Sequence, residues 1–396
     1  MAMEESIKTL SEPVKALYLA TYIPRKCGIA TFTKDLINAV NLLNPLSLGK
    51  VAVMDNALTQ KLEYPHEVKM RIQDDNPQDY IKVADYVNMT EEFEAVVLQH
   101  EFGIFGGPDG ENILELTQAL KKPLLVTFHT VVSDCSENMR RIMTSLCTTA
   151  KYVVVMLQGA REMLIDLYGA KPDKVVVIHH GVPDFPMMSG ANGAKNKLGL
   201  DGKTVMTSIN LLGANKGLEH AIEAIPAIKK RVEDFVYLIV GETHPIVKQA
   251  EGEAYRQKLE NLASQLGVSG QVRFVNKYLG LGELVEYIAA SDFYVTPYLN
   301  PQQAASGSLA YAIGAGKACI STPYAYAAEM LGDGRGMLVP FRDGAAIAQS
   351  VLELLADQHK REECQSKAYA VGRTMTWHNV AHQYYHLYQY AIGKGC

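Results

Sequence analysis

Six cysteines (Cys27, Cys135, Cys147, Cys319, Cys364 and Cys396) are scattered through 396 residues, and no C-x-x-C pair occurs. That spacing argues against a zinc ribbon, a dithiol redox centre or a disulfide framework, and fits reduced thiols in a cytoplasmic protein. Nowhere do about 18 apolar residues run together, so no spanning helix is expected, while peripheral membrane contact stays open. The opening MAMEESIKTLSEPVKALYLA starts acidic and reaches only a short apolar run at Ala16 to Ala20. It lacks the basic start and long apolar stretch of a signal peptide, and the mature chain is expected to begin near Met1. A net charge of −5 supplies no basic field for a nucleic-acid backbone. No G-x-G-x-x-G follows a strand with an acidic residue about 20 positions on, which sets aside a nicotinamide-dependent dehydrogenase. No D-x-D stands at a strand end, since Asp74 and Asp75 are adjacent in a polar loop, so no metal site is expected. Low-complexity tracts and short repeats are also missing.

What is present is a rhythm. Short runs of Val, Ile and Leu alternate with longer amphipathic segments, the pattern of βαβ units around parallel sheets buried on both faces. Strands are expected at 15–21, 50–55, 95–99, 123–128, 151–156 and 174–178, and again at 204–209, 235–240, 272–275, 293–297 and 318–321. The length exceeds what one core holds, which predicts two domains. Between them, 179–199 is rich in Gly, Pro and Asn without apolar periodicity and reads as a linker, with the boundary near Asp184. After Trp377, the segment WHNVAHQYYHLYQYAI is helical in period but carries more aromatics than one solvent-facing helix needs, so it is expected to pack along a second surface.

Ligands of open α/β sheets bind outside the carboxyl ends of strands, and six segments carry suitable chemistry. PRKCGIATF (24–32) places Gly28 where a helix begins, letting backbone approach an anion, although a plain tight turn would use the same glycine. QHEFGIFGG (99–107) combines Gln99, His100 and Glu101 with a glycine-rich loop; the alternative is a pair capping the next helix. TFHT (127–130) ends a strand with His129; a lone histidine is more often structural, but its strand-end place shifts the reading towards function. In LGANKG (212–217), Lys216 is placed at a helix start, where a cation opposes the dipole unless an anion binds; a solvated lysine is the alternative. Glu242, in GETHP (241–245), ends a strand of the same half. In PQQAASGSL (301–309), Ser306 is a natural N-cap, and the free N–H groups at Gly307 and Ser308 form a candidate phosphate cradle.

Taken in order, PRKCGIATF, TFHT, IHHGVPD, NKG, FVN, DFYVTPY, SGSLAYAIGAGK and STP resemble the large retaining glycosyltransferase family four, over about residues 15 to 390. The resemblance implies an α/β GT-B fold of two Rossmann-like domains facing across a cleft. An acceptor domain (1–184) would be completed by a C-terminal helix (378–396), and a donor-binding domain would span 185–377. It implies catalytic roles for His129 near the reacting carbon and Lys216 at the leaving diphosphate, and Glu101 joins them as a catalytic candidate from its place at a strand end. Gly28, Glu242, Asn276, Tyr278, Gln303, Ser306, Gly307, Ser308 and Tyr311 would hold the donor, and Gln99 and His100 the acceptor. The expected partners are a GDP- or UDP-linked nucleotide sugar and a saccharide acceptor, with no cofactor and no metal.

The chain departs from the family pattern in two places. Leu211 and Asn210 stand where the family has an arginine before the phosphate lysine, and Gln303 and Tyr311 replace its two glutamates. A tyrosine cannot accept from a ribose diol as a carboxylate does. A retaining phosphorylase using a sugar 1-phosphate would need no such carboxylate, and a non-catalytic saccharide-binding module would need none of the phosphate groups. Transfer of a hexose, mannose from GDP-mannose first, is the leading expectation.

Overall fold

The computed structural model describes residues 13–188 and 192–394; Cys396 lies outside them, and the other five cysteines are free thiols. The chain folds as two compact units. One comprises the chain up to Gly181 together with the segment from Trp377, and the other is Val182–Thr376.

The first unit is built on a seven-stranded parallel sheet. In chain order its strands are β1 (Ala16–Ala20), β2 (Lys50–Asp55), β3 (Val68–Gln73), β4 (Ala95–His100), β5 (Leu124–Phe128), β6 (Tyr152–Val155) and β7 (Val175–Val177). They lie side by side as β3-β2-β1-β4-β5-β6-β7. Every residue of β1, β4 and β5 is buried, because helices cover both faces of the sheet and leave no wet side. β3, VKMRIQ, was not expected. It is an edge strand pairing only with β2, and its outer positions are half or fully exposed, so it lacks the continuous apolar run that marks its neighbours.

The second unit repeats the plan with β8 (Thr204–Ile209), β9 (Phe235–Val240), β10 (Val272–Val275), β11 (Phe293–Thr296), β12 (Ala318–Ser321) and β13 (Met337–Leu338). The order is β10-β9-β8-β11-β12-β13, all parallel. β13, two residues long, is too short to register as a pattern and was also unexpected. Its core interleaves Leu218, Ile222 and Ile225 of helix Leu218–Lys229 and Ile347, Val351 and Leu354 of helix Gly344–Ala356 with strand residues Tyr237, Ile239, Val295 and Ile320. The segment read as a linker contains a short helix, Asn192–Lys197, which polar composition hid.

The aromatic tail forms helix Trp377–Ala391 within the first unit. Val380, Ala381, Tyr384, Leu387 and Tyr388 are its buried face, with the Tyr384 hydroxyl 3.1 Å from Thr127 Oγ1 and Tyr388 edge-on to Tyr18 of β1. Burying Val380 and Leu387 contributes roughly 1.5–3 kcal/mol each. The chain leaves and re-enters this unit where Gly181 abuts Trp377. A Cβ at Gly181 would fall inside the indole ring, so only glycine allows that approach.

Candidate functional site

In each sheet the strand order reverses once, between β1 and β4 and between β8 and β11, and the loops at those carboxyl ends collect the candidate residues. β1 runs into helix Gly28–Leu43. Its N-cap is Cys27, whose Sγ accepts from the Ala30 N–H at 3.4 Å and lies 3.2 Å from Thr21 Oγ1. A Cβ placed on Gly28 would meet nothing within 4 Å. The glycine is therefore not required by neighbouring protein atoms, and beside it lies room at a positively polarised helix start.

β4 and β5 deliver the next groups, and here three expectations are corrected. His100 is not presented to a ligand. Its ring is wholly buried among Phe102, Phe105 and Phe128, both ring nitrogens lack a hydrogen bond, and burial pushes its pKa down to about 3. Gln99 is likewise fully buried, and its Oε1 lies 2.9 Å from His129 Nε2, so it holds the histidine instead of an acceptor. Glu101 spends both carboxylate oxygens locally. Oε1 accepts from the Phe102 N–H at 3.0 Å, capping the short 3-10 turn Phe102–Ile104, and Oε2 accepts from the Thr130 hydroxyl at 2.6 Å. Burial raises its pKa. The capping alternative describes this residue better than catalysis does.

His129 follows β5 and is buried apart from a small exposed edge. Burial, then the nearby His180 and His100, push it down to about 3, so it is neutral at pH 7. With Gln99 Oε1 as acceptor, Nε2 carries the proton and Nδ1 is a bare acceptor. Its ring stands edge-on to Phe32 of helix Gly28–Leu43, at 4.8 Å between centroids. Phe32 also meets His180 at 5.1 Å and Trp377 at 5.3 Å. His180 donates from Nδ1 to the Gly181 carbonyl at 2.8 Å, and burial holds it near 4. Sequence reading missed Phe32, His180 and Trp377 as companions of His129, because they come from three distant stretches of chain.

In the second unit Lys216 does not begin a helix. It ends the 3-10 turn Ala214–Lys216, and Gly217, in left-handed conformation with φ 60°, caps helix Leu218–Lys229. A side chain at Gly217 would collide with the Pro297 carbonyl oxygen, so glycine is needed both for its φ and for its neighbour. The half-buried Lys216 ammonium sits over the Tyr298 ring, 4.2 Å from its centroid. Tyr298 stacks on Tyr324 at 5.0 Å, and the Tyr324 hydroxyl donates to Thr296 Oγ1 at 3.2 Å beside the Ser306 side chain. Ser306 is the N-cap of helix Gly307–Gly314, accepting from the Leu309 N–H at 3.4 Å. A continuous set of contacts thus joins the lysine to the cradle at Gly307 and Ser308. Nothing in the sequence pairs Tyr298 with Lys216.

Around this core, Gln303 is tied down by its own Nε2, which donates to the Ala305 carbonyl at 3.0 Å. Tyr311 is buried, packing edge-on to Phe185, so it offers little surface to a ribose. Glu242 is half-buried after β9, and its carbonyl accepts from Leu212 N–H. Tyr278 is half-buried beyond β10. Asn276 is exposed there and accepts from the buried Arg256, whose Nη2 also donates to the Gly241 carbonyl at 3.0 Å. Arg256, not singled out by sequence, thereby braces the ends of β9 and β10. Asn210, one of the two positions where the resemblance implies an arginine, follows β8 with both amide atoms unpartnered.

Two sequence families match this chain. Residues 192–371 fit the family described as glycosyl transferases group 1, and 88–184 fit Glycosyltransferase Family 4. A D-inositol 3-phosphate glycosyltransferase of Thermomonospora curvata is 28% identical over 64% of the chain, and a phosphatidyl-myo-inositol mannosyltransferase of Mycobacterium tuberculosis is 28% identical over 49%. The aligned stretches span 63% and 49% of those relatives' lengths. Among solved structures, HepE of Anabaena in complex with UDP superposes with TM-score 0.74 at 16% identity, covering 94% of this chain and 98% of that one. Sucrose-phosphate synthase of Thermosynechococcus elongatus gives 0.77 at 16% identity over 96% and 99%. With its two parallel sheets, the architecture is the α/β GT-B fold.

Proposed function

We propose that this GT-B chain, with its two glycosyltransferase segments, transfers a hexosyl unit from a nucleotide diphosphate sugar to a saccharide or related hydroxyl acceptor, retaining anomeric configuration and using no metal. The contacts running from Lys216 through Tyr298 and Tyr324 to the Ser306-capped helix carry this reading. As the glycosyl bond breaks, negative charge grows on the departing diphosphate. A preorganised ammonium and helix-start N–H groups stabilise that charge without having to reorganise. Ser306 sets the helix start, Gly307 and Ser308 supply the amides, and Asn210 offers an amide side chain at the end of β8. Glu242, Asn276 and Tyr278 contribute to the nucleotide end of the donor site, with Arg256 bracing the two strand ends that carry them. In the first unit, Gly28 leaves room at a helix start for donor phosphate, and His129 offers Nδ1 as a neutral acceptor for a sugar hydroxyl. Mannose from GDP-mannose is the donor to test first, in keeping with the mycobacterial relative's name; UDP-sugars follow, in keeping with the UDP bound to HepE.

A retaining phosphorylase is the second reading, supported by Tyr311, which puts a buried phenol where the family holds ribose with a carboxylate. Thermal shifts with UDP, GDP, ADP, inorganic phosphate and sugar 1-phosphates separate the two, since a ligand that binds only the folded chain raises its melting temperature. A response to one nucleoside diphosphate, with sugar release from the matching nucleotide sugar into an acceptor of unchanged anomeric sense, supports transfer. A response to phosphate and sugar 1-phosphate alone overturns it in favour of the phosphorylase, and no response to any phosphate ligand overturns both.

A further inference from the structure

Helix Trp377–Ala391 carries a feature that glycosyl transfer does not use. His378, His382 and His386 recur every fourth residue, and all three are exposed. That spacing puts them on one face, roughly a turn apart. The opposite face is anchored by Val380, Ala381, Tyr384, Leu387 and Tyr388, so the histidines project from a fixed backbone. The His378 and His382 rings lie 4.6 Å apart between centroids at 78°, and His382 and His386 lie 6.3 Å apart at 31°. Among the described residues, none of the three imidazoles makes a hydrogen bond or ion pair with the protein. An exposed helix face usually gains its solubility from Lys and Glu. Here three ligand-type side chains stand in series with their nitrogens uncommitted.

We propose that His378 and His382 chelate a divalent transition-metal ion of the Zn²⁺, Ni²⁺ or Cu²⁺ class across one helical turn, with His386 offering a second pair that shares His382. Imidazole is a preferred ligand for these ions, and two histidines at i and i+4 are the arrangement by which a helix face grips one. With metal–nitrogen bonds of about 2.0–2.1 Å, rings this close need only side-chain rotation to converge. Among the described residues no three His, Cys, Asp or Glu groups are placed to cage a metal. The site is accordingly a two-donor clip with water completing the coordination, unlike a closed structural centre. The clip would brace the helix whose first residue, Trp377, packs on Phe32 and His180 beside His129. It lies outside the transfer chemistry proposed above and does not depend on it.

The test uses tag-free full-length protein stripped with EDTA and dialysed, titrated with ZnCl₂ and NiCl₂ by calorimetry and followed by thermal melts. The expected result is one ion per chain and a melting temperature raised by about 3–5 °C at a tenfold excess over Kd. His382→Ala, which removes a member of both pairs, should weaken binding at least tenfold. His378→Ala should weaken it several-fold and His386→Ala less, while His359→Ala, an exposed histidine elsewhere, should match the parent. All four substitutions are at exposed positions, and melts without metal verify that each variant folds. Absence of saturable binding to the stripped parent would overturn the proposal. So would binding untouched by His382→Ala, or half an ion per chain with dimers in light scattering, which would place the metal between two copies.

Discussion

Replacing Lys216 by alanine removes the cation proposed to meet the leaving diphosphate, and its consequences for rate and for stability differ in size. The ammonium sits on a turn whose geometry is set independently, by Gly217 and by the Leu299 N–H, which donates to the Asn215 carbonyl at 2.9 Å. Loss of one preorganised charge-stabilising group costs about 2.7–4 kcal/mol of transition-state stabilisation, so kcat should fall by about two to three orders of magnitude. The fold loses the contact with the Tyr298 ring, worth about 0.5–1 kcal/mol, so the melting temperature should drop by about 1–3 °C. A lysine that merely opposed a helix dipole would cost no stability on removal, so the drop reports the ring beneath it. The assay is steady-state release of nucleoside diphosphate, with melts run in parallel with and without nucleotide. Lys216→Met, which keeps the aliphatic stem on Tyr298, should melt closer to the parent yet be equally slow. Turnover near the parental value in either variant, with the nucleotide-induced melting shift retained, would refute the assignment and move the phosphate site elsewhere.

His129→Ala should impair transfer by at least tenfold while nucleoside diphosphate still raises the melting temperature, since the side chain is assigned to the sugar; loss of nucleotide binding would contradict this. Any transfer activity should survive excess EDTA, and complete loss restored by Mg²⁺ or Mn²⁺ would refute a leaving group neutralised by Lys216 and backbone amides. His100, His129 and His180 are all held below their ordinary pKa by burial. The unfolded chain therefore binds more protons than the folded one below about pH 6.5, and the stability these groups confer, complete above that pH, falls on acidification. By pH 5.5 each group costs about 1.4 kcal/mol, a loss that continues towards the folded values near 3 to 4. His100→Phe, which keeps a ring among Phe102, Phe105 and Phe128 and removes two unpartnered nitrogens, should be more stable than the parent and show a shallower decline in chemical denaturation from pH 7 to 5. An unchanged slope would show that His100 is not buried as a neutral ring.

The repeated runs of Val, Ile and Leu were enough to determine two parallel sheets, because a strand covered on both faces must be apolar throughout, and that demand is written locally. The same holds for Ser306, whose capping of its own helix depends on a few neighbouring residues, and for the glycine in the NKG turn. The edge strand β3 escaped because its partly wet positions break the run. Side-chain roles at the strand ends were decided only by tertiary packing. His100 and His129 both lie at strand ends and read alike in sequence, yet one is sealed among three phenylalanines while the other is held by Gln99 with Nδ1 unbonded. Glu101 turned inward to cap a turn and bind Thr130, and Lys216 came to rest on Tyr298, 82 positions away along the chain. Hydrophobic periodicity is an average over neighbours in sequence, whereas hydrogen-bond partners and ring contacts are set by neighbours in space, which only the folded chain brings together.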